Sequence, residues 1–235
     1  MIDLHTHSLF SDGVLIPAEL VQRARTKGYE ALAITDHADP SNLDWIISRI
    51  VRFCEDFNKK SDFKVVPGIE LTHVAPETIS SLTQEARKLG AKVVVVHGET
   101  IVEPVQAGTN RAALEAGVDI LAHPGLISKT EVLLAREKGT LLEVSYRKGH
   151  CLTNGHVAKL AKDVGAALIL NTDAHGTEDL IDPIQALRVV LGAGLIEADW
   201  EEMQSNARNL LERIFTQKND TPPLKSTGPS SANMR

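Results

Sequence analysis

Six of the chain's nine histidines, together with three carboxylates, stand where short apolar runs end. They are His5 and His7 in DLHTH, Asp12 in SDG, His37 in ITDH, Glu70 in PGIE, His97 in VVVVH, His123 in ILAHP, and Asp173 and His175 in LNTDAH. Imidazole nitrogens and carboxylate oxygens are the donors that zinc, manganese and iron select. Taken singly, each has a plain structural reading. An H-x-H pair is as often structural as functional, His37, His97 or His123 alone would be a capping or core histidine, and Asp12 in Ser-Asp-Gly is a turn residue. Glu70 is harder to dismiss, because an unpaired carboxylate in an apolar segment is costly to bury. Nine such residues spread over the ends of six strands point to one polynuclear metal site.

The elements that must position these residues repeat. An amphipathic helix, a glycine and a short apolar strand recur as TKGYEALAIT, KLGAKVVVVH, EAGVDILAH, EKGTLLEVS and DVGAALILN. Gly28, Gly90, Gly117, Gly139 and Gly165 fall just past each helix, where glycine takes the left-handed conformation without a Cβ penalty. The strands are continuous apolar runs, as in a parallel sheet covered on both faces. They are expected near residues 2–5, 31–35, 64–69, 92–96, 119–122, 141–145 and 168–171. Pro17 sits at the first turn of one helix, with Leu20, Val21 and Ala24 facing inward. Asn154 is the expected N-cap of another, whose Val157, Leu160, Ala161 and Val164 form one stripe. The architecture expected is an α/β fold, a (β/α)7 barrel of parallel strands. An open doubly wound sheet is the alternative, but only a closed barrel aims so many C-terminal strand ends at one point. Residues 1–215 are read as one domain, and the Pro-, Ser- and Thr-rich 216–235 as a disordered tail.

Bulk properties narrow the function. The chain has 235 residues, 43% of them hydrophobic and 24% charged, with a formal charge of −6 and a pI near 5.8. That balance disfavours non-specific nucleic-acid or membrane-surface binding, so nucleic acid is not the expected partner. Cys54 and Cys151 form no C-x-x-C motif and imply no disulfide framework. No apolar run reaches the ~18 residues of a membrane span. MIDLHTH has no basic-then-apolar leader, and the expected location is the cytoplasm.

The constellation resembles the polymerase-and-histidinol-phosphatase (PHP) phosphoesterases. DLHTHSLFSDG looks like that family's first motif and ITDH its second, with the GIE, H, AHP and TDAH elements following in order up to about residue 190. The resemblance implies a distorted (β/α)7 barrel holding three divalent metals, a mixture of Zn, Mn or Fe. In it His5, His7, Glu70 and Asp173 would bind the first. Glu70 would bridge to a second, held also by His97 and His123. Asp12, His37 and His175 would bind the third. RKGHCLTNGH is similar to the short, stand-alone members related to histidinol phosphatases.

The implied reaction is hydrolysis of a small phosphomonoester by metal-activated hydroxide, attacking in line without a covalent enzyme intermediate. Histidinol phosphate and nucleotides are candidate substrates. Arg147, with Lys148 beside it, follows the sixth strand and is the candidate phosphate clamp, because its planar fork binds two oxygens at once. His150, in the same loop, is the candidate donor to the leaving alkoxide. His73 could line the pocket, and His156, in a helical first turn, reads as structural. Asp36 and Glu99 could orient ligating imidazoles. Competing readings are an amidohydrolase-like C–N or C–O hydrolase, a nuclease, and a barrel without catalysis. Amidohydrolase barrels usually lack a histidine just beyond the last aspartate, and a non-catalytic barrel would be expected to have lost ligands.

Overall fold

The computed structural model describes residues 1–216; all of the tail assigned to 216–235, save Thr216, lies outside the described residues. Seven parallel strands in sequence order make the sheet: β1 (Ile2–Asp3), β2 (Ala31–Ile34), β4 (Lys64–Leu71), β5 (Val93–His97), β6 (Ile120–Ala122), β7 (Leu141–Ser145) and β8 (Leu168–Asn171). A two-residue strand that the sequence did not announce, β3 (His37–Ala38), pairs with β4 beyond the end of β2. The chain past β1 returns to the chain past β8, where the Asp173 amide donates to the His5 carbonyl at 3.0 Å and the His7 amide to Ala174 at 2.8 Å. The sheet is therefore a nearly closed (β/α)7 barrel rather than an open one.

Side-chain alternation explains why the strands read as unbroken apolar runs. In β5, Val94 and Val96 pack outward with the helices, while Val93 and Val95 face the barrel interior with Ala31, Ala33, Val66, Ile120 and Ile169. The helices α1 (Pro17–Thr26), α2 (Leu43–Asn58), α3 (Pro76–Leu89), α4 (Thr109–Ala116), α5 (Lys129–Lys138), α6 (Asn154–Val164) and α7 (Pro183–Gly192) surround the sheet. The last helix, α8 (Glu197–Thr216), closes the N-terminal end of the barrel. Its Ala207, Leu210 and Leu211 join the interior cluster, and its Gln204 accepts from the Ile2 amide at 2.9 Å.

Gly90, Gly117, Gly139 and Gly165 do adopt left-handed caps; at α1 the cap is Lys27, and Gly28 takes the positive φ one residue later. Asn154 is not an N-cap. It is the first residue of α6, behind a 3-10 turn (His150–Thr153), and its side chain accepts from the Ser145 amide at 3.0 Å and donates to the Ser145 carbonyl at 2.7 Å. It ties the helix to the end of β7. No helix among the described residues is long and apolar enough to cross a membrane.

Candidate metal centre

Strand register delivers the nine residues to one place. His37 lies opposite Glu70, and His97 opposite Ala122, so His123 follows immediately beyond. Glu70 shares the inward phase of Val66 on β4, which makes it the central carboxylate. Its Oε1 lies 3.3 Å from His5 Nε2 and 3.8 Å from His123 Nε2, and its Oε2 lies 2.5 Å from His37 Nδ1 and 3.7 Å from His7 Nε2. Asp173 faces it, with Oδ1 3.0 Å from His7 Nε2 and Oδ2 3.6 Å from His123 Nε2. Asp12 closes the outer side, 3.1 Å from His175 Nε2 and 3.5 Å from His37 Nε2. All nine sequence-predicted ligand candidates stand in this one cluster.

Burial makes the cluster expensive without a cation. His5, His7 and Glu70 are fully inaccessible, and His97, His123 and Asp173 nearly so. Eleven buried side-chain polar atoms among the described residues have no hydrogen-bond partner in a suitable direction, and eight of them belong to His5, His7, Glu70, His97, His123 and Asp173. Each such orphan costs about 1–3 kcal/mol. Unsatisfied imidazole nitrogens and carboxylate oxygens converging on shared points are the donor set that divalent transition metals take, so these residues fit the metals that the motifs imply. Several triads place one donor atom each within mutual reach, among them His5–His7–Glu70, His5–His123–Asp173 and His97–His123–His150, and Asp12 joins His7, His37 and His175.

The charges are interlocked. Burial pushes the His5 pKa down, but Glu143, Glu70 and Asp173 outweigh it and hold that imidazole well above its ordinary value. Burial and the neighbouring His37 push His7 well down, and burial with His97 and His150 does the same to His123. Burial would raise Glu70, yet His5 and His37 hold it well below the usual carboxylate range. Asp173 goes the other way, raised by burial and by the nearby Glu70 and Glu143.

The supporting contacts were only partly foreseen. Glu143, inside the apolar run LLEVS, is fully buried and accepts from Asn171 Nδ2 at 2.9 Å, with His5 Nδ1 at 2.7 Å. A lone carboxylate in a buried strand was the signal for it, as for Glu70. Thr72 Oγ1 holds His37 Nδ1 at 2.7 Å, and the Asp173 carbonyl accepts from His175 Nδ1 at 2.9 Å. Asp36 orients no imidazole: its carboxylate is bonded to the amide and hydroxyl of Ser8 and of Ser11, bracing the loop that carries Asp12. Glu99 likewise serves the backbone, accepting from the Gly108 and Asn110 amides at 2.9 Å.

Above the cluster opens a pocket of about 400 Å³, lined in part by Arg147, His150, His73 and Glu103. Arg147 is held by Asp179 at 3.2 Å, and Asp179 also accepts from the amides of His175 and Gly176. His150 stacks on His123 with ring centroids 3.9 Å apart, and burial lowers its pKa to about 4. His156 lies outside the pocket, bonded to the Ile127 carbonyl at 2.7 Å. A larger groove of about 1070 Å³ beside Phe10, Arg49 and Lys60 contains none of the nine.

Comparison with known proteins shows the family. The family model described as PHP domain matches residues 3–214. An uncharacterized protein of Methanocaldococcus jannaschii is 47% identical over 215 residues, covering 90% of this chain and 99% of that one. A protein of Thermoanaerobacter sp. named "Probable phosphatase" is 27% identical over 220 residues, covering 84% of this chain and 88% of its own. The ribonuclease P protein component 3 of Methanosarcina barkeri is 26% identical over 227 residues, covering 90% and 87%. Among solved structures, a chain of archaeal ribonuclease P with mature tRNA superposes over the full length of both chains with a TM-score of 0.70 at 16% identity, a likeness of fold.

Proposed function

The chain belongs to the PHP domain family, and on that premise we propose that it is a metal-dependent phosphatase hydrolysing a small phosphomonoester at a trinuclear centre. Family membership and relatives named as phosphatases support the coarser statement, a metal-dependent phosphoesterase. The observation that carries it is the set of eight orphaned donor atoms on buried, converging histidines and carboxylates. Divalent cations, when bound there, neutralise phosphoryl oxygens and lower the pKa of water. The ligand sets are those the family motifs imply: His5, His7, Glu70 and Asp173; Glu70, His97 and His123; and Asp12, His37 and His175.

The remaining roles fall to the pocket wall. Arg147, positioned by Asp179, grips phosphoryl oxygens at the pocket edge with the guanidinium donors that Asp179 leaves free. Thr100 Oγ1 sits 2.8 Å from His150 Nδ1, so His150 turns Nε2 toward the pocket, where the neutral ring hydrogen-bonds the leaving oxygen. Water attacks in line, and no side chain becomes phosphorylated. The test is phosphate release by the metal-replete protein from a panel of histidinol phosphate, nucleoside monophosphates, sugar phosphates and p-nitrophenyl phosphate. One ester turned over far above the rest, and silenced by chelator, supports the proposal and names the substrate. No release from any ester would move the reading to a nuclease, which the relative in ribonuclease P favours. The panel therefore includes a short RNA.

A further inference from the structure

Glu103, on the loop after β5, meets three imidazoles at the pocket mouth. Its Oε2 lies 3.1 Å from His97 Nε2 and 3.3 Å from His73 Nε2, and its Oε1 lies 3.4 Å from His150 Nε2. We propose that Glu103 and His73 join His97 in holding its divalent cation, at the outer edge of the centre, so that the metal shell extends beyond the nine-residue pattern. The inference rests on reading the centre as a metal site, and not on its being a phosphatase.

Spacing is the first argument. Tetrahedral ligands at 2.0–2.2 Å from zinc stand about 3.4 Å apart, and the two Oε2 distances lie close to that edge length. The three donor atoms also all lie within 4.8 Å of one another. An ordinary surface ion pair needs one partner; here a single carboxylate oxygen is shared by two imidazole nitrogens at nearly equal distance.

Backbone strain is the second, independent argument. Among the described residues only three non-glycines have positive φ: His73 at +53°, His123 at +27° and Asp173 at +53°. Side chains of L-residues disfavour this region, and residues held there cluster at functional sites. Two of the three belong to the nine, and His73 shares their conformation although half of its side chain reaches solvent.

The loop bearing Glu103 is also anchored. Glu99 Oε1 clamps the amides of Gly108 and Asn110, and Asn110 Nδ2 donates to the Pro124 carbonyl at 2.9 Å. Gly125, at φ +62°, lets the loop approach so closely that a Cβ there would lie 1.8 Å from the Glu99 carbonyl oxygen. Thr100 fastens the same loop to His150. Glu103 is thus delivered to His73 and His97 from a fixed base.

The full chain, stripped with chelator and reloaded with Co²⁺, tests this. Cobalt content by mass spectrometry and the visible absorption of the bound ion are read for the parent protein, Glu103→Gln and His73→Asn. The expected result is that both variants lose one cobalt equivalent, or bind it at least tenfold more weakly, with the other equivalents retained and the absorption reduced in step. Both substituted side chains are partly exposed, and matching circular dichroism establishes that the variants are folded. Unchanged stoichiometry and affinity in both would overturn the proposal while leaving the phosphatase reading in place.

Discussion

The two ends of the barrel are built from the same strands and solve opposite problems. At the N-terminal end, α8 inserts Ala207, Leu210 and Leu211 against Ile2, Val93 and Ile169, and among the described residues Gln204 Nε2 is the buried side-chain polar atom left without a partner there. At the C-terminal end, the strands finish in buried histidines and carboxylates, eight of whose polar atoms have no hydrogen-bond partner. Burial of apolar area stabilises one end by roughly 25 cal/mol per Å². Orphaned polar atoms destabilise the other by about 1–3 kcal/mol each unless a ligand satisfies them. The contrast teaches that stability and chemistry are segregated along the barrel axis, so substitutions at the two ends should separate folding from function.

The sharpest separation is expected at Glu70. Glu70→Gln should lower ester hydrolysis on the order of 10³-fold, the scale of losing one electrostatic stabiliser of a transition state. Thermal melting of the metal-free variant should fall below that of the metal-free parent, since the carboxylate charge that His5 and His37 favour is removed, but by less than truncating a buried leucine at the other end; a drop as large as that would break the comparison. Leu210→Ala at the other end should do the reverse. Denaturant titration should show a loss of about 2–5 kcal/mol, as for buried leucines generally, with metal content per folded molecule unchanged. Glu143→Gln lies between the two ends, beneath His5. Because such partners fix a ligating imidazole, calorimetry should find ion affinity weakened by about 10–100-fold. The smallest effect is expected from Arg147→Ala, a loss of about tenfold or more in kcat/KM with metal content unaltered, about the 1.4 kcal/mol that a tenfold change represents. An unaltered kcat/KM would remove Arg147 from the site.

Much of this division was legible in the sequence, and for a physical reason. In a parallel barrel the strands are apolar along their length, so a histidine or carboxylate at the end of an apolar run stands out; eight of the nine carry that signal, Asp12 in its Ser-Asp-Gly turn was marked as a ligand by the family resemblance, and all nine meet in the structure. Glu143 was less visible because it lies inside its strand rather than at its end. Asp36 and Glu99, each within two residues of a predicted ligand, point at backbone and hydroxyl donors instead; nearness along the chain does not fix direction beyond a strand end. Asn154 has the composition of a cap, but the 3-10 turn before it, set by loop geometry, moves it one position into the helix. Glu103 sits in a loop without periodicity, so only tertiary structure reveals its three imidazole neighbours.

The central claim is that these nine residues hold divalent cations and that hydrolysis depends on them. It is tested most directly by stripping the protein with chelator and adding Mn²⁺ or Zn²⁺ back stepwise, while measuring bound ion and phosphate release in the same samples. The account predicts that release is absent from the stripped protein, rises in step with ion uptake, and stays near zero in Glu70→Gln at every ion concentration. Full release by the stripped protein, or by Glu70→Gln, would contradict it.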